Sequence, residues 1–536
     1  MTLSRPLALI ALLTACAALA GSAAAASVCN SSCFQAPAGS GALLVFTGHG
    51  WGHGVGMSQY GAYGYAQHGA TYDQIVAHYY PGTTLGPAPA GSIRVLLADR
   101  KKKVTIVAEA GFTVRDGAGA RHRLPGGTYT YTKKLDWPAP LTVIPGKGSY
   151  LELGNRYRGS FLLDVVDGKL RVIDIVGLEQ YLWGVVPSEM PSNWALEALK
   201  AQAVAARSYA LATRAIGAPF DVYPDTRSQM YLGVDHESPA ATAAVNATKG
   251  KVALYDGKVA TTFFYSTSGG QTESSADWTG TAVPYLVSVA DPYDTLSPYH
   301  DWGPTPVTAA ALLKALKLTG PVTDVTTTPN PAGRVAQLKL TTPLKALTVP
   351  APSLRTAVGL RSTWFTVGLL ALTPPQPLAP VVYGSGVTLS SVVRGLQGVT
   401  LEQKVPGGTW EAVRAVAGGA AKLTAAPTIN TDYRLATTTV ASGSIKIRVA
   451  PVVTVTSATP ALVSGAVDPV LPNAAVEVQQ QNADLTWTTA GTGVVAADGT
   501  FSVPIAPTMG ATIRALVTPG TTYAPGTSAP LSLVSG

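Results

Sequence analysis

The chain has 536 residues, more than one ordinary hydrophobic core organises, so about three or four domains are expected. Only 13% of residues are charged, with Lys plus Arg at 38 against Asp plus Glu at 30, a formal charge of +8. No basic run is longer than Arg100 to Lys103. That excludes nucleic acid as the main partner, while a mild positive charge suits an anionic cell envelope.

Residues 1–26 read as a signal peptide: Arg5 is the positive end, Leu7 to Ala20 an apolar run, and Ala24-Ala25-Ala26 a cleavage site before Ser27. Leu13-Thr14-Ala15-Cys16 also resembles a lipoprotein box, which would leave a lipid anchor at Cys16. Plain export is the preferred reading, to the cell envelope (periplasm or cell wall) or the extracellular space. No later stretch reaches about 18 uninterrupted apolar residues, so no transmembrane span is expected in the mature chain. Cys29 and Cys33 form a C-x3-C pair without a nearby histidine, which favours a disulfide loop, in a linker covering 27–41.

The stretch FTGHGWGHGVGMSQYGA, Phe46 to Ala62, places glycine at every second position from Gly48 to Gly56. Each glycine gives up roughly 1 kcal/mol in a helix, so an extended strand is expected, with one bare face. A bare face admits a ligand or another backbone closely. His49, Trp51 and His53 line the other face, where an indole between imidazoles suits stacking on a sugar and bonding its hydroxyls. Two short helices follow. One runs from about Ser58 to His68 and stops at Gly69; the next opens at Thr71 with a capping-box Gln74 and ends at Pro81. Strands fill Ser92 to Val176, including Ile93 to Leu97, Leu162 to Val166 and Leu170 to Ile175.

A long helix is expected from Trp194 to about Ile216, capped by Ser192 or Asn193, with Leu196, Leu199, Ala203, Ala206 and Ala210 as its buried stripe. Strands resume from Lys251. After Pro374 short strands alternate with turns, and two segments look like copies: VTLEQKVPGGTW with Arg434, and VEVQQQNADLTW with Arg514. Their spacing suits two tandem immunoglobulin-like sandwiches, 375–450 and 451–536.

The second informative stretch is YLWGVVPSEMPSNWALEALKAQAVAARSYAL, Tyr181 to Leu211. With the glycine stretch, DTRSQMYLG (from Asp225), FFYSTSGGQTESS (from Phe263) and LRTAVGLRSTWF (from Leu354), it closely resembles the SpoIID/LytB family, bacterial cell-wall proteins of the sporulation-protein and amidase-enhancer type. The resemblance covers about 41–371. It implies an α+β catalytic domain at 42–372, with the glycine motif at 46–85, a core at 91–302 and a tail at 303–372. It implies a peptidoglycan lytic transglycosylase acting on glycan strands, with the glutamate of V-P-S-E-M, here Glu189, as acid/base. The family also includes the alternative, a non-catalytic glycan-binding protein that enhances a cell-wall amidase. In the sporulation members the glycine–histidine–tryptophan motif follows the segment matching Phe365, whereas here it precedes everything. His49, Trp51 and His53 must then fold back beside Glu189, which requires that the ends of that domain lie close together.

The residues fit this chemistry. Pro187 and Pro191 are expected to fix a non-helical turn around Glu189, among Trp183, Val185, Met190 and Trp194. Such walls raise a carboxyl toward about 6, while the start of the following helix pulls the other way. One glutamate can protonate the leaving glycosidic oxygen, then accept the proton of the muramic acid O6 hydroxyl as the anhydro ring closes. Hydrolysis needs a second carboxylate about 5 to 9 Å away, for which Asp225, Glu273 and Asp277 are candidates. Ser188 has no Ser-His-Asp arrangement around it.

Gln59 and Tyr60 are expected in the same cleft, Tyr60 alternatively in the core. Ser268, Gly269, Gly270 and Gln271 form either a turn or a second glycan-lining wall. Lys200, Arg207 and Arg214 recur every seven residues as a solvated face; alternatively Arg207 orients the catalytic loop or the muramic acid carboxylate. No metal or cofactor is expected. In a strand the His49 and His53 alpha carbons lie about 13 Å apart, too far for one ion. A metal-dependent wall peptidase using these two histidines is the third reading.

Overall fold

The computed structural model describes Cys29, residues 33–506 and residues 510–533. The expected signal peptide and Cys16 lie outside the described residues. Among the described residues the chain is mixed α and β up to residue 373, and strands alone form the regular structure beyond it.

The helical part of the core is laid on a twisted antiparallel sheet. Strand Ser92–Lys101 pairs with Lys169–Gly177, which pairs with Ser160–Val166. Ile93, Val95, Val172, Val176, Phe161 and Leu163 point from these strands into one core. At Gly177 the last strand passes straight into a helix. We label the helices α1 (Gln59–Gln67), α2 (Tyr72–Tyr79), α3 (Leu178–Glu189), α4 (Leu196–Ala212) and α5 (Pro239–Ala247).

Helices α1 and α2 start where their caps predict, at Ser58 and at the Thr71–Gln74 capping box. Helix α4 is shorter than expected and has no side-chain cap. Leu196 is 46% exposed, so the buried stripe begins at Leu199. That stripe, Leu199, Ala203, Ala206 and Ala210, packs with α3 and α5; Ala201, Val204 and Ala205 on the opposite side pack with α1 and α2. An apolar surface on both sides makes α4 the buried axis of this half, and its alanines let the neighbours approach closely.

Strand Leu43–His49 lies between Asp301–Thr308 and Phe365–Thr373, antiparallel to both, with Gly48 opposite Phe365. The glycine motif is thus beside Phe365 through pairing rather than chain continuity. The sheet continues through Val387–Arg394 to Gly419–Ala425. Its two faces feed different cores. Leu44, Phe46 and Leu369 pack with Leu338, Leu340 and Leu354, whereas Leu43, Val45, Leu370 and Leu372 pack with Leu389, Leu401 and Leu435.

Two expected boundaries therefore need correction. The break between 372 and 375 cuts through a continuous sheet, because the first C-terminal unit completes its core with strands from the domain before it. Of the expected linker 27–41, the described residues Cys29 and 33–36 are docked rather than free. Cys29 and Cys33 are disulfide-bonded and pack on Ala436 and Ala441, and Phe34–Gln35 pairs in parallel with Val440–Ala441.

The last unit has a three-stranded and a five-stranded sheet around one core that includes Val463, Val476, Phe501 and Ile513. The two sequence copies match in structure. Glu402 sits opposite Arg434 and Gln479 opposite Arg514. Each arginine covers a tryptophan ring, Arg434 on Trp410 at 4.0 Å and Arg514 on Trp487 at 4.1 Å.

These shared strands predict unequal truncations. A chain ending after residue 374 exposes Leu43, Val45, Leu370 and Leu372 and should be insoluble or lack a cooperative melt. One ending after residue 450 keeps that sheet and should melt cooperatively. Circular dichroism of the two proteins decides it, and equal behaviour would reject the shared core.

Candidate functional site

The glycine stretch is a strand as far as His49 and again only at Met57–Ser58. Between them, Gly50, Gly52, Gly54 and Gly56 all take positive φ, and the chain forms a strap pressed against residues 263–273. The bare side meets protein, not ligand. A Cβ on Gly50 would lie 2.6 Å from the Thr267 carbonyl oxygen, and one on Gly54 would lie 2.9 Å from both Glu273 and Arg334. Backbone bonds rivet the strap: Trp51 N donates to Thr267 O, Gly52 N to Arg361 O, and Glu273 N to Gly54 O.

This geometry splits the three aromatic and imidazole side chains. His49 bonds Asp301 at 2.6 Å and packs on Trp364. Trp51 sits edge-on to Tyr299 with Arg361 over its ring. Only His53 reaches Glu189. The two share a cavity of about 360 Å³, lined also by Tyr209, Thr226, Arg227, Ser228, Phe263, Phe264 and Trp278. The fold-back requirement is therefore met by His53 and not by His49 or Trp51, which line no part of this cavity.

Glu189 is the last residue of α3, not part of a non-helical turn, and Pro187 lies within the final helical turn. Its surroundings hold it at both backbone and carboxyl. Gln59 Nε2 donates to the Glu189 carbonyl oxygen at 3.0 Å, and Met230 N donates to Oε1 at 2.6 Å. Burial pushes the carboxyl up from 4.5 to about 6, against the lowering effect of the Met230 hydrogen bond. A helix C-terminus is the negative end of the dipole, so α3 disfavours ionisation as well, opposite to the helix-start effect expected from the sequence.

His53 is committed at both nitrogens. Nδ1 accepts from Val55 N at 3.1 Å, which leaves Nε2–H to donate to Phe264 O at 3.2 Å. Burial lowers its pKa to about 4, so the ring is neutral at ordinary pH. It stacks on Trp278 with centroids 4.8 Å apart. His53 is a neutral wall, not a base or a charge partner for Glu189.

Arg207 is fully buried and its guanidinium is taken up, so it does not reach the pocket. It bonds both oxygens of Glu179, at 3.1 and 2.7 Å, and the carbonyls of Ala203, Val245 and Lys251. Gln59 is a buried support of Glu189, and Tyr60 packs edge-on to Trp194. Ser268, Gly269, Gly270 and Gln271 form a turn behind the strap rather than a glycan wall. Arg334 Nη2 binds the Ser268 and Gln271 carbonyls, and Gly269 N donates to Asp294.

The candidate second carboxylates fall outside the cavity around Glu189. Asp225 is held by Arg227 at 2.7 Å, Glu273 is buried against Arg334 at 3.2 Å, and Asp277 accepts from Ser274. Glu189 is the one carboxylate among the residues lining that cavity. The sequence reading passed over Tyr209, Arg227, Phe263, Phe264 and Trp278. Tyr209, Arg227, Phe263 and Phe264 lie inside the quoted motifs, but nothing in their spacing marks which face meets the pocket.

The family model described as "SpoIID: Stage II sporulation protein" matches residues 166–255, the stretch that contains α3, Glu189 and α4. An uncharacterized protein of Brachyspira hyodysenteriae is 41% identical over 139 residues, 25% of this chain and 38% of that protein. The amidase enhancer of Bacillus subtilis is 40% identical over 141 residues, 26% of this chain and 19% of that protein. Stage II sporulation protein D of the same organism is 35% identical over 145 residues, 24% of this chain and 42% of that protein. The chain thus spans well under half the length of these relatives. A solved tetra-tandem repeat from a large adhesion protein covers 83% of this chain and 99% of that chain at 11% identity, but its TM-score of 0.18 carries no weight for the fold. Residues 166–255 thus form a segment similar to stage II sporulation protein D. The similarity of this segment to the amidase enhancer and to stage II sporulation protein D supports a relationship to the SpoIID/LytB family.

Two outcomes are expected. Gly54→Ala, at φ +91° and with Arg334 and Glu273 in the way, should lower stability by about 2–4 kcal/mol in denaturant unfolding. For Glu189, the folded pKa lies above the ordinary value, so its contribution to stability is present below about 4.5 and is lost as pH rises through about 6. Glu189→Gln should accordingly be more stable than the parent by up to about 2 kcal/mol at pH 8 and nearly equal at pH 4. Equal stability at both pH values would show that burial does not perturb the carboxyl.

Proposed function

We propose that this protein acts on the bacterial cell wall as a peptidoglycan lytic transglycosylase, with Glu189 as general acid and then base. The observation that carries the reading is a half-buried carboxyl, raised to about 6, standing as the one carboxylate among the lining residues of an open cavity. A proton held near neutrality suits delivery to a leaving glycosidic oxygen. Once ionised, the same oxygen accepts the proton of the muramic acid O6 hydroxyl as that oxygen closes on the anomeric carbon, so no water and no second carboxylate are required. The walls of Phe263, Phe264 and Trp278 offer apolar and stacking surface to sugar rings. A glycan-binding enhancer of a separate amidase is the second reading, favoured by the 40% identity to the amidase enhancer.

Incubation with peptide-free glycan strands, read by mass spectrometry, separates the two. Anhydro-muramic ends that fall at least about 1,000-fold in Glu189→Gln are expected. Activity should decline as pH rises through about 6, where the acid ionises. Reducing ends instead would mean hydrolysis, and intact strands with retained binding would favour the enhancer.

A further inference from the structure

A second cavity of about 230 Å³ adjoins the Glu189 pocket, and His53 and Trp278 line both. Its far wall comes from the helix Ala351–Val358 and from Thr363, and it carries a cation with unusual surroundings. Arg355 is partly buried, and its Nε donates to Arg361 O at 3.0 Å. Among the described residues, Nη1 and Nη2 have no acceptor, and no carboxylate forms an ion pair with this arginine. Of the two carboxylates lining the cavity, Glu273 is engaged by Arg334 and by Asn330 Nδ2 at 3.1 Å, and Asp277 accepts from Ser274. Arginines withdrawn from water are normally paired. Here the free edge of a planar guanidinium lines a cavity that shares two of its walls, His53 and Trp278, with the Glu189 pocket.

We propose that this second cavity is a subsite for a carboxylate-bearing part of the substrate, bound by the Arg355 fork with Trp278 as the shared wall between the two subsites. This rests on the glycan reading for its choice of substrate. The fork geometry matches a carboxylate through two parallel N–H···O bonds. Glu273 and Asp277 also line the cavity and would repel a dianion, which favours a singly charged group over a phosphate. Two sources supply such a group on a wall polymer: the lactyl carboxylate of a muramic acid without its peptide, and the terminal carboxylate of a stem peptide.

The test measures binding by nuclear magnetic resonance titration in the Glu189→Gln background, so no turnover is needed. The probes are N-acetylmuramic acid, its carboxamide, the tripeptide N-acetyl-lysyl-D-alanyl-D-alanine and its C-terminal amide. At least one acid is expected to bind at least tenfold more tightly than its amide. Arg355→Gln should abolish that preference while leaving amide affinity and melting temperature unchanged, and Arg355→Lys should retain part of it. Preference for the muramic acid assigns the lactyl source, and preference for the tripeptide assigns the stem. The proposal is overturned if Arg355→Gln keeps the preference, if acid and amide weaken equally, or if neither acid binds. A preference dependent on Arg355, in a protein whose parent leaves strands uncut, would uphold the subsite and reject the transglycosylase.

Discussion

Arg207 holds α3 against α4 through both oxygens of Glu179, and it also gathers the carbonyls of Ala203, Val245 and Lys251. Breaking a buried pair of this kind typically costs about 3–5 kcal/mol, because the remaining charge is stranded. Its place explains the rest of the site. Glu179 lies in the first turn of α3 and Glu189 is the residue that ends it. A helix clamped at its first turn and contacted by Gln59 at its last has little freedom to slide, so the carboxyl stays under Met230 N. The charge fixed at one end of α3 thus helps to hold the Glu189 carboxyl, at the other end, in the buried setting that raises its pKa.

The strap supplies the opposite wall by a different device. Its positive-φ glycines bring the backbone of residues 50–56 against that of 263–273 so closely that no side chain fits between them. What emerges on the pocket side is His53, neutral and bonded twice, with Trp278 stacked on it. A neutral ring beside Glu189 leaves the raised carboxyl pKa intact, whereas an imidazolium there would lower it.

Much of this was legible in the chain. Ser58, Thr71 and Gln74 announced two helix starts, and the alternating spacing of Leu199, Ala203, Ala206 and Ala210 announced the face that α4 buries. Apolar neighbours pointed to a raised Glu189 pKa, although they could not show that α3 carries Pro187 in its last turn. Period-two reasoning failed on the glycine stretch because it presumes strand dihedrals, which glycine is free to abandon. It therefore placed His49, Trp51 and His53 on one face, when the strap turns them to three different surroundings. The seven-residue spacing of Lys200, Arg207 and Arg214 suggested a solvated face, and only the packing of α3 and α5 shows that Arg207 is interior. The boundary after 372 was hidden for a related reason: Leu43–His49 alternates between two cores, and both faces of such a strand read as one apolar run.

That strand carries a consequence for how the molecule comes into being. Gly48 pairs with Phe365, and Phe34 pairs with Val440, so these early segments have partners that emerge from synthesis hundreds of residues later. Contacts of such sequence separation close slowly, since a long loop must be ordered before it is rewarded. The Ser92–Gly177 sheet and the helices after it contain most of their own partners and can assemble earlier. The pocket wall that His53 provides is then among the last parts to be set. A clipped chain could present Glu189 on a folded helix and still lack the wall that encloses it.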